Sequence, residues 1–215
     1  MRHLLVSAIL AIGLAPTLSA QTTPAQRRFG ITGGLTVAKV GGDDVNDAKL
    51  KTGFVGGGVA VFPISPTFSF QPELVYAMKG SKFTDQGTDA SFKLNYVELP
   101  VLLRYDVPVT GTTKPFLLAG PAFALETTCK ISGTDQGTTV TFGCQDFFNQ
   151  VGANTDTKSF DVGAMFGGGL AFDVNGRVMT VGIRYNVGLM KVFSDVNAKN
   201  RVLSFVGSFE WPSRK

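Results

Sequence analysis

Chemistry at a protein site needs nucleophiles, bases or metal ligands within reach of one another, and this chain supplies few. It has one histidine, His3, in a segment expected to be removed on export. Without it there is no Ser-His-Asp triad, no Asp-His pair and no His-ligated zinc. Lysine or carboxylate chemistry stays formally open, but no motif supports it. The two cysteines, Cys129 and Cys144, have no CxxC spacing, which argues against a metal or redox site. In an oxidising compartment they are expected to form a disulfide, closing a loop of about 16 residues and stabilising by about 3 kcal/mol in the chain-entropy account. Asp43, Asp44 and Asp47 lack the spacing of a calcium loop and read as a solvated turn. The expectation is a non-enzymatic protein with no catalytic, cofactor or metal site.

What remains chemically distinctive is a set of charged residues inside apolar alternation: Glu73, Glu98, Arg104, Arg184 and Glu210. They need strands to position them, and the C-terminal third supplies the clearest. Phe160, Val162, Ala164, Phe166, Gly168, Leu170, Phe172 and Val174 alternate with small or polar residues. Asn175-Gly176 then marks a two-residue hairpin turn. Met179, Val181, Ile183, Tyr185, Val187 and Leu189 return, and Leu203, Phe205, Gly207, Phe209 and Trp211 close the set. A period of two sustained this long matches a tilted strand crossing a bilayer.

The start of the chain agrees. Arg2 and His3 precede an apolar run from Leu4 to Ala15, and Thr17-Leu18-Ser19-Ala20 offers a cleavage site after Ala20. Residues 1–20 are expected to be a secretory signal peptide, 21–28 a flexible lead-in, 29–211 the barrel and 212–215 a short extension. No later stretch has the length of a transmembrane helix. The formal charge of +4 raises nucleic acid or anionic lipid as partners. The cations are scattered along the chain without a run, so the charge is read as general solvation and no nucleic acid is expected.

Eight strands are expected: 29–37, 52–62, 68–79, 92–107, 114–127, 160–174, 177–189 and 202–211. Pro72 suggests a bulge in the third, because it cannot donate to the ladder. A slip of parity near Tyr96-Val97 suggests another in the fourth. Residues 80–91 and 128–157 read as polar loops. Long and short connections alternate, as in an up-and-down barrel with long external loops and short periplasmic turns.

Alternation alone does not say which face is wet. Three features choose the membrane. The non-apolar face is rich in Gly163, Gly167, Gly169, Ala171, Gly182, Gly188 and Ser208, which suit a cramped interior. Phe62, Phe68, Phe70, Tyr105, Phe172, Phe209 and Trp211 gather near the periplasmic turns as an aromatic girdle. The last strand ends Phe209-Glu210-Trp211.

On the segments Phe29-Gly30-Ile31 to Gly34-Leu35, Phe70-Gln71-Pro72-Glu73-Leu74, Tyr96-Val97-Glu98-Leu99-Pro100, Lys114-Pro115-Phe116-Leu117-Leu118-Ala119-Gly120-Pro121 and the final strand, the chain resembles the outer-membrane β-barrel domain family, with its PorT-like and OmpX-like members. The resemblance covers essentially the whole mature chain. It implies residence in the Gram-negative outer membrane, contact with its lipid, and handling by the barrel-assembly machinery during biogenesis. Some PorT-like members are linked to secretion, which makes an extracellular or secretion-system protein a candidate partner of a monomeric barrel.

An eight-stranded barrel is narrow enough to be filled by side chains. Glu73, Glu98 and Arg184 are expected to face inward at mid-height, with Arg104 and Glu210 lower, closing the lumen by charge-assisted hydrogen bonds. The alternatives are a narrow channel for small polar solutes, a secretion-apparatus component and a soluble lipocalin-like binder. Phe142, Phe147 and Phe148 are expected to pack on the barrel rim or to form a contact patch.

Overall fold

The protein is described by a computed structural model covering residues 26–41, 49–85, 88–135, 138–152, 159–191 and 199–213. The expected signal peptide, most of the lead-in and Asp43, Asp44 and Asp47 lie outside the described residues.

The wall is made of β1 (Arg28–Gly41), β2 (Lys51–Pro63), β3 (Phe68–Asp85), β4 (Thr88–Asp106), β5 (Thr113–Asp135), β7 (Phe160–Val174), β8 (Arg177–Gly188) and β9 (Lys199–Pro212). Each pairs antiparallel with its neighbours in the order β4-β3-β2-β1-β9-β8-β7-β5, and β4 pairs with β5 to close the ring. The fold is the eight-stranded antiparallel barrel expected. Closure matters physically, because a closed wall satisfies its backbone groups internally where lipid offers no partners.

Local chemistry explains the short turns. Asn175 and Gly176 both take positive φ, 55° and 75°, the conformation of a two-residue turn whose twist matches the flanking strands. Ser65 Oγ accepts from the Phe68 amide at 3.0 Å and holds the turn between β2 and β3. These turns, the β4–β5 connection and the paired ends of β1 and β9 (Arg28 opposite Pro212) share the periplasmic rim.

Several strands run further than expected. β3 and β4 pair as far as Asp85 opposite Thr88, so most of the expected 80–91 loop is sheet. The expected 128–157 loop holds the top of β5, the short β6 (Thr138–Gly143) paired to it, and a helix, α1 (Cys144–Gln150). Beyond the lipid a strand has no apolar face to display, so its polar residues concealed it.

Both expected bulges need correction. Pro72 causes no shift: β3 keeps one register with β4 from Phe68 opposite Tyr105 to Asp85 opposite Thr88, and one with β2. The missing donor removes one ladder bond, and the register carries across it. Nor does β4 slip at Tyr96-Val97. Leu94, Tyr96, Glu98, Leu102 and Arg104 are all buried on the lumen side. The apparent slip arose because Leu94 and Tyr96 are apolar lumen residues. The shift lies opposite, where Asn95 pairs with Thr128 but Tyr96 pairs with Glu126. Thr127 is therefore the extra residue, and it belongs to β5.

Candidate functional site

The outer wall is apolar: Ile31, Leu35, Leu74, Leu117, Leu125 and Val181 are each more than half exposed. Aromatic contacts ring its periplasmic edge. Phe29 meets Phe62 edge-on at 5.9 Å, Phe68 meets Tyr105 at 5.0 Å, and Phe209 meets Trp211 at 6.2 Å. The polar residues of these strands turn inward, as period two requires.

Inside, they form a ladder. At the periplasmic end Glu210 receives Arg28 Nε at 2.8 Å and Arg104 Nη1 at 3.6 Å, and Ser208 Oγ donates to it at 2.8 Å. Arg104 also binds Asp106 at 2.8 Å, and its guanidinium lies 4.3 Å from the Phe116 ring centre. Gln71 links the levels: its Oε1 accepts from Arg104 at 3.4 Å, and its Nε2 donates to Glu73 at 2.7 Å. Glu73 then accepts from Arg184 at 2.6 Å. Above it Glu98 pairs with Lys79, whose ammonium sits 4.8 Å from the Tyr96 ring centre. Asn200 Nδ2 donates to Tyr96 Oη at 3.4 Å and to Asp161 at 3.0 Å.

Among the five charged residues singled out in the sequence, Glu73 and Arg184 meet, and Arg104 and Glu210 meet. Glu98 meets neither arginine; its partner is Lys79. Sequence reasoning missed Lys79, Gln71, Arg28 and Asp106 as partners. Lys79 and Gln71 share the parity of Glu73, and that signal was available. Which cation reaches which carboxylate depends on the stagger of non-consecutive strands and was not.

Apolar side chains fill other parts of the lumen, beside buried Thr32, Thr36, Ser69 and Thr180. Leu102, Phe116, Leu118, Ala122, Met165 and Ala171 pack together on one side. Val40, Leu94, Tyr96 and Ala124 form a second cluster with Phe92 and Cys129. Beside Met165 of the first cluster lies a cavity of about 20 Å³ bordered by Glu73, Lys79, Glu98, Arg184 and Asn186. That is room for about one water. At Gly169 the neighbouring strand comes so close that a Cβ would collide with the Val181 carbonyl.

Above the barrel, β5 leaves β7 beyond Leu125 and pairs with β6. The Thr127 bulge reverses parity, so Cys129 points inward with Ile131. Cys129 is bonded to Cys144 across a Cα separation of 5.4 Å, which fastens α1 to the hairpin. Phe142 on β6 is exposed. Phe147 and Phe148 on α1 are half-buried and meet edge-on at 6.0 Å. Among the described residues no group of His, Cys, Asp and Glu is arranged to hold a metal.

The family described as outer membrane protein beta-barrel domain matches residues 19–194. The chain belongs to that family. It is thus an outer-membrane barrel, and its exposed apolar belt faces lipid. No curated relative matches the chain. Among solved structures it is similar to Neisserial surface protein A (NspA), at 17% identity over 86% of this chain and 97% of that one, TM-score 0.48. It is similar to Ail, the attachment invasion locus protein of Yersinia pestis, at 14% identity over 87% and 100%, TM-score 0.42. OprG of Pseudomonas aeruginosa aligns at 10% identity over 87% and 97%, TM-score 0.44.

Proposed function

We propose that this outer-membrane barrel is a non-enzymatic protein with a closed lumen that acts through its external surface. The observation that carries this reading is the filling of the interior: among the described residues an ion-pair ladder and two apolar clusters occupy the lumen, and the cavity beside Glu73 and Glu98 is about 20 Å³. A solute path needs a continuous polar bore, and buried paired charges are costly to separate. The external surface, by contrast, is elaborated. The β5–β6 hairpin stands above the wall, and a disulfide holds α1 with Phe147 and Phe148 against it. Together with exposed Phe142, these rings form the contact patch on which an extracellular or secretion-system protein docks.

Conductance separates this reading from a channel. The folded protein inserted in a planar bilayer is expected to give no reproducible current steps. Regular, reproducible steps would favour a narrow pore. Co-purification after mild detergent extraction tests the docking role: the wild type retains a partner that the triple variant Phe142→Ser/Phe147→Ser/Phe148→Ser loses. An isolated monomer in both cases counts against it.

A further inference from the structure

Among the described residues, every buried carboxylate of the lumen meets a cation except one. Glu73 has Arg184, Glu98 has Lys79, and Glu210 has Arg28 and Arg104. The remaining buried cation, Lys51, donates to the Lys79 and Phe92 carbonyls. Asp161 is 6% exposed and makes no ion pair. Asn200 Nδ2 donates to its Oδ2 at 3.0 Å, and its Oδ1 accepts no hydrogen bond. A buried carboxylate with neither a cation nor a full set of donors is costly to keep.

The strands gather further oxygens around it. Asp161 and Gly163 are successive inward positions on β7, about 7 Å apart. Gly163 is opposite Gly188 on β8, so neither strand puts a side chain into this part of the lumen. Asn186, the next inward residue of β8, turns its Oδ1 into the space that a Cβ on Gly163 would take. Asn186 is also 6% exposed, and that oxygen too lacks a donor. Gly188 lies against Asn200, whose Nδ2 bonds both Asp161 and Tyr96 Oη and so brings the phenol to the same place. Glu126 is opposite Tyr96 and lies two residues beyond Ala124, the partner of Asp161. The charges of Asp161 and Glu126 both act on the Tyr96 hydroxyl.

Two buried acceptors without donors, a carboxylate oxygen and an amide oxygen, therefore flank Gly163. The chemistry of the set identifies what they hold. It contains no sulfur or imidazole, the ligands that soft and borderline metals select. It mixes carboxylate, amide and hydroxyl oxygens, which calcium accepts in flexible geometry, whereas magnesium demands a near-ideal octahedron. Its carboxylates do not amount to a metal centre by themselves, and the amide oxygen completes them. We propose that Asp161, Asn186 and Glu126, with Tyr96 beside them, form a calcium site at the external end of the lumen. β7 begins at Phe160 and β8 ends at Gly188, so the site stands near the mouth and draws on the external medium. The ion ties β5, β7 and β8 together where β5 leaves β7 to pair with β6, and so fastens the base of the external hairpin.

The test uses the full mature barrel, folded in neutral detergent without lipopolysaccharide, and terbium as a luminescent stand-in for calcium. Tyr96 is buried in the lumen, while Tyr76, Tyr105 and Tyr185 stand on the outer wall, so Tyr96 is placed to pass its excitation to an ion at this site. The wild type is expected to give tyrosine-sensitised terbium emission. Calcium should displace it at about 0.1–1 mM, the range of sites that face the external medium, and magnesium only at far higher concentration. Asp161→Asn keeps the shape and removes the charge. It is expected to weaken calcium binding at least about 10-fold, which even a change behind the ligands costs a metal site. Asn186→Ala is expected to weaken it as well, and Asp43→Asn/Asp44→Asn/Asp47→Asn to leave it unchanged. No emission from the wild type means that water or a proton serves Asp161, and overturns the proposal. Emission that survives both Asp161→Asn and Asn186→Ala, or that is lost with the three loop acids, puts the ion elsewhere and overturns it too. Displacement by magnesium as readily as by calcium refutes the choice of ion. If neither single variant folds, the wild type decides: calcium is expected to raise its unfolding temperature and chelation to lower it, and a temperature indifferent to calcium refutes the assignment.

Discussion

Glu73 sits at a junction of the lumen ladder, accepting from Gln71 on its own strand and from Arg184 on β8. Both charges have left water, so their mutual attraction and remaining hydrogen bonds must offset desolvation. Removing one partner strands the other. Arg184→Met is expected to destabilise the barrel by about 3–5 kcal/mol, and Glu73→Leu/Arg184→Met by much less, since an apolar pair of similar volume leaves no orphaned charge. Urea unfolding of the reconstituted protein checks both; a double variant as unstable as the single one would show that packing, not charge, dominates there. Parity made the inward position of Glu73 legible in the sequence. Parity also placed Arg184 inward at that height; which carboxylate it meets was not legible, because Glu73 and Arg184 lie on strands brought face to face only across the lumen.

At the scale of elements, one residue sets the orientation of the external hairpin. Thr127 is the extra residue of β5 opposite the Asn95–Tyr96 step, and beyond it the inward positions change from even to odd. Cys129 thereby faces inward and reaches Cys144. Deleting Thr127 restores uniform parity and turns Cys129 and Ile131 outward. The variant is expected to titrate with two free thiols under denaturing, non-reducing conditions where the wild type shows none. A variant that keeps the disulfide would mean the hairpin, not the bulge, sets its position. Reducing the wild-type bond removes about 3 kcal/mol of constraint from the loop it closes. Limited proteolysis should then cut near α1 while the wall stays intact. The sequence supplied the cysteine pair but concealed the hairpin that carries it, because polar residues beyond the membrane give no period-two signal.

Taken whole, the molecule is a closed wall whose backbone bonds are satisfied strand to strand. Closed barrels keep that wall in SDS until heated. The purified protein is expected to migrate differently before and after boiling, and a mobility indifferent to boiling would contradict a closed ring. Period-two alternation, the Asn175-Gly176 turn and the small residues of one face determined the barrel, its strand number and its lipid-facing side from sequence. Each is a local pattern, readable from one strand or one turn. Tertiary structure alone decided which charges meet. Lys39 and Arg201 are far apart in sequence, as are Lys49, Lys82, Lys93 and Lys130, and scattered cations read as ordinary solvation. Ring closure and register set Lys39 opposite Arg201 and Lys93 opposite Lys130, since cross-strand neighbours are fixed by stagger between strands and not by any property of a single strand.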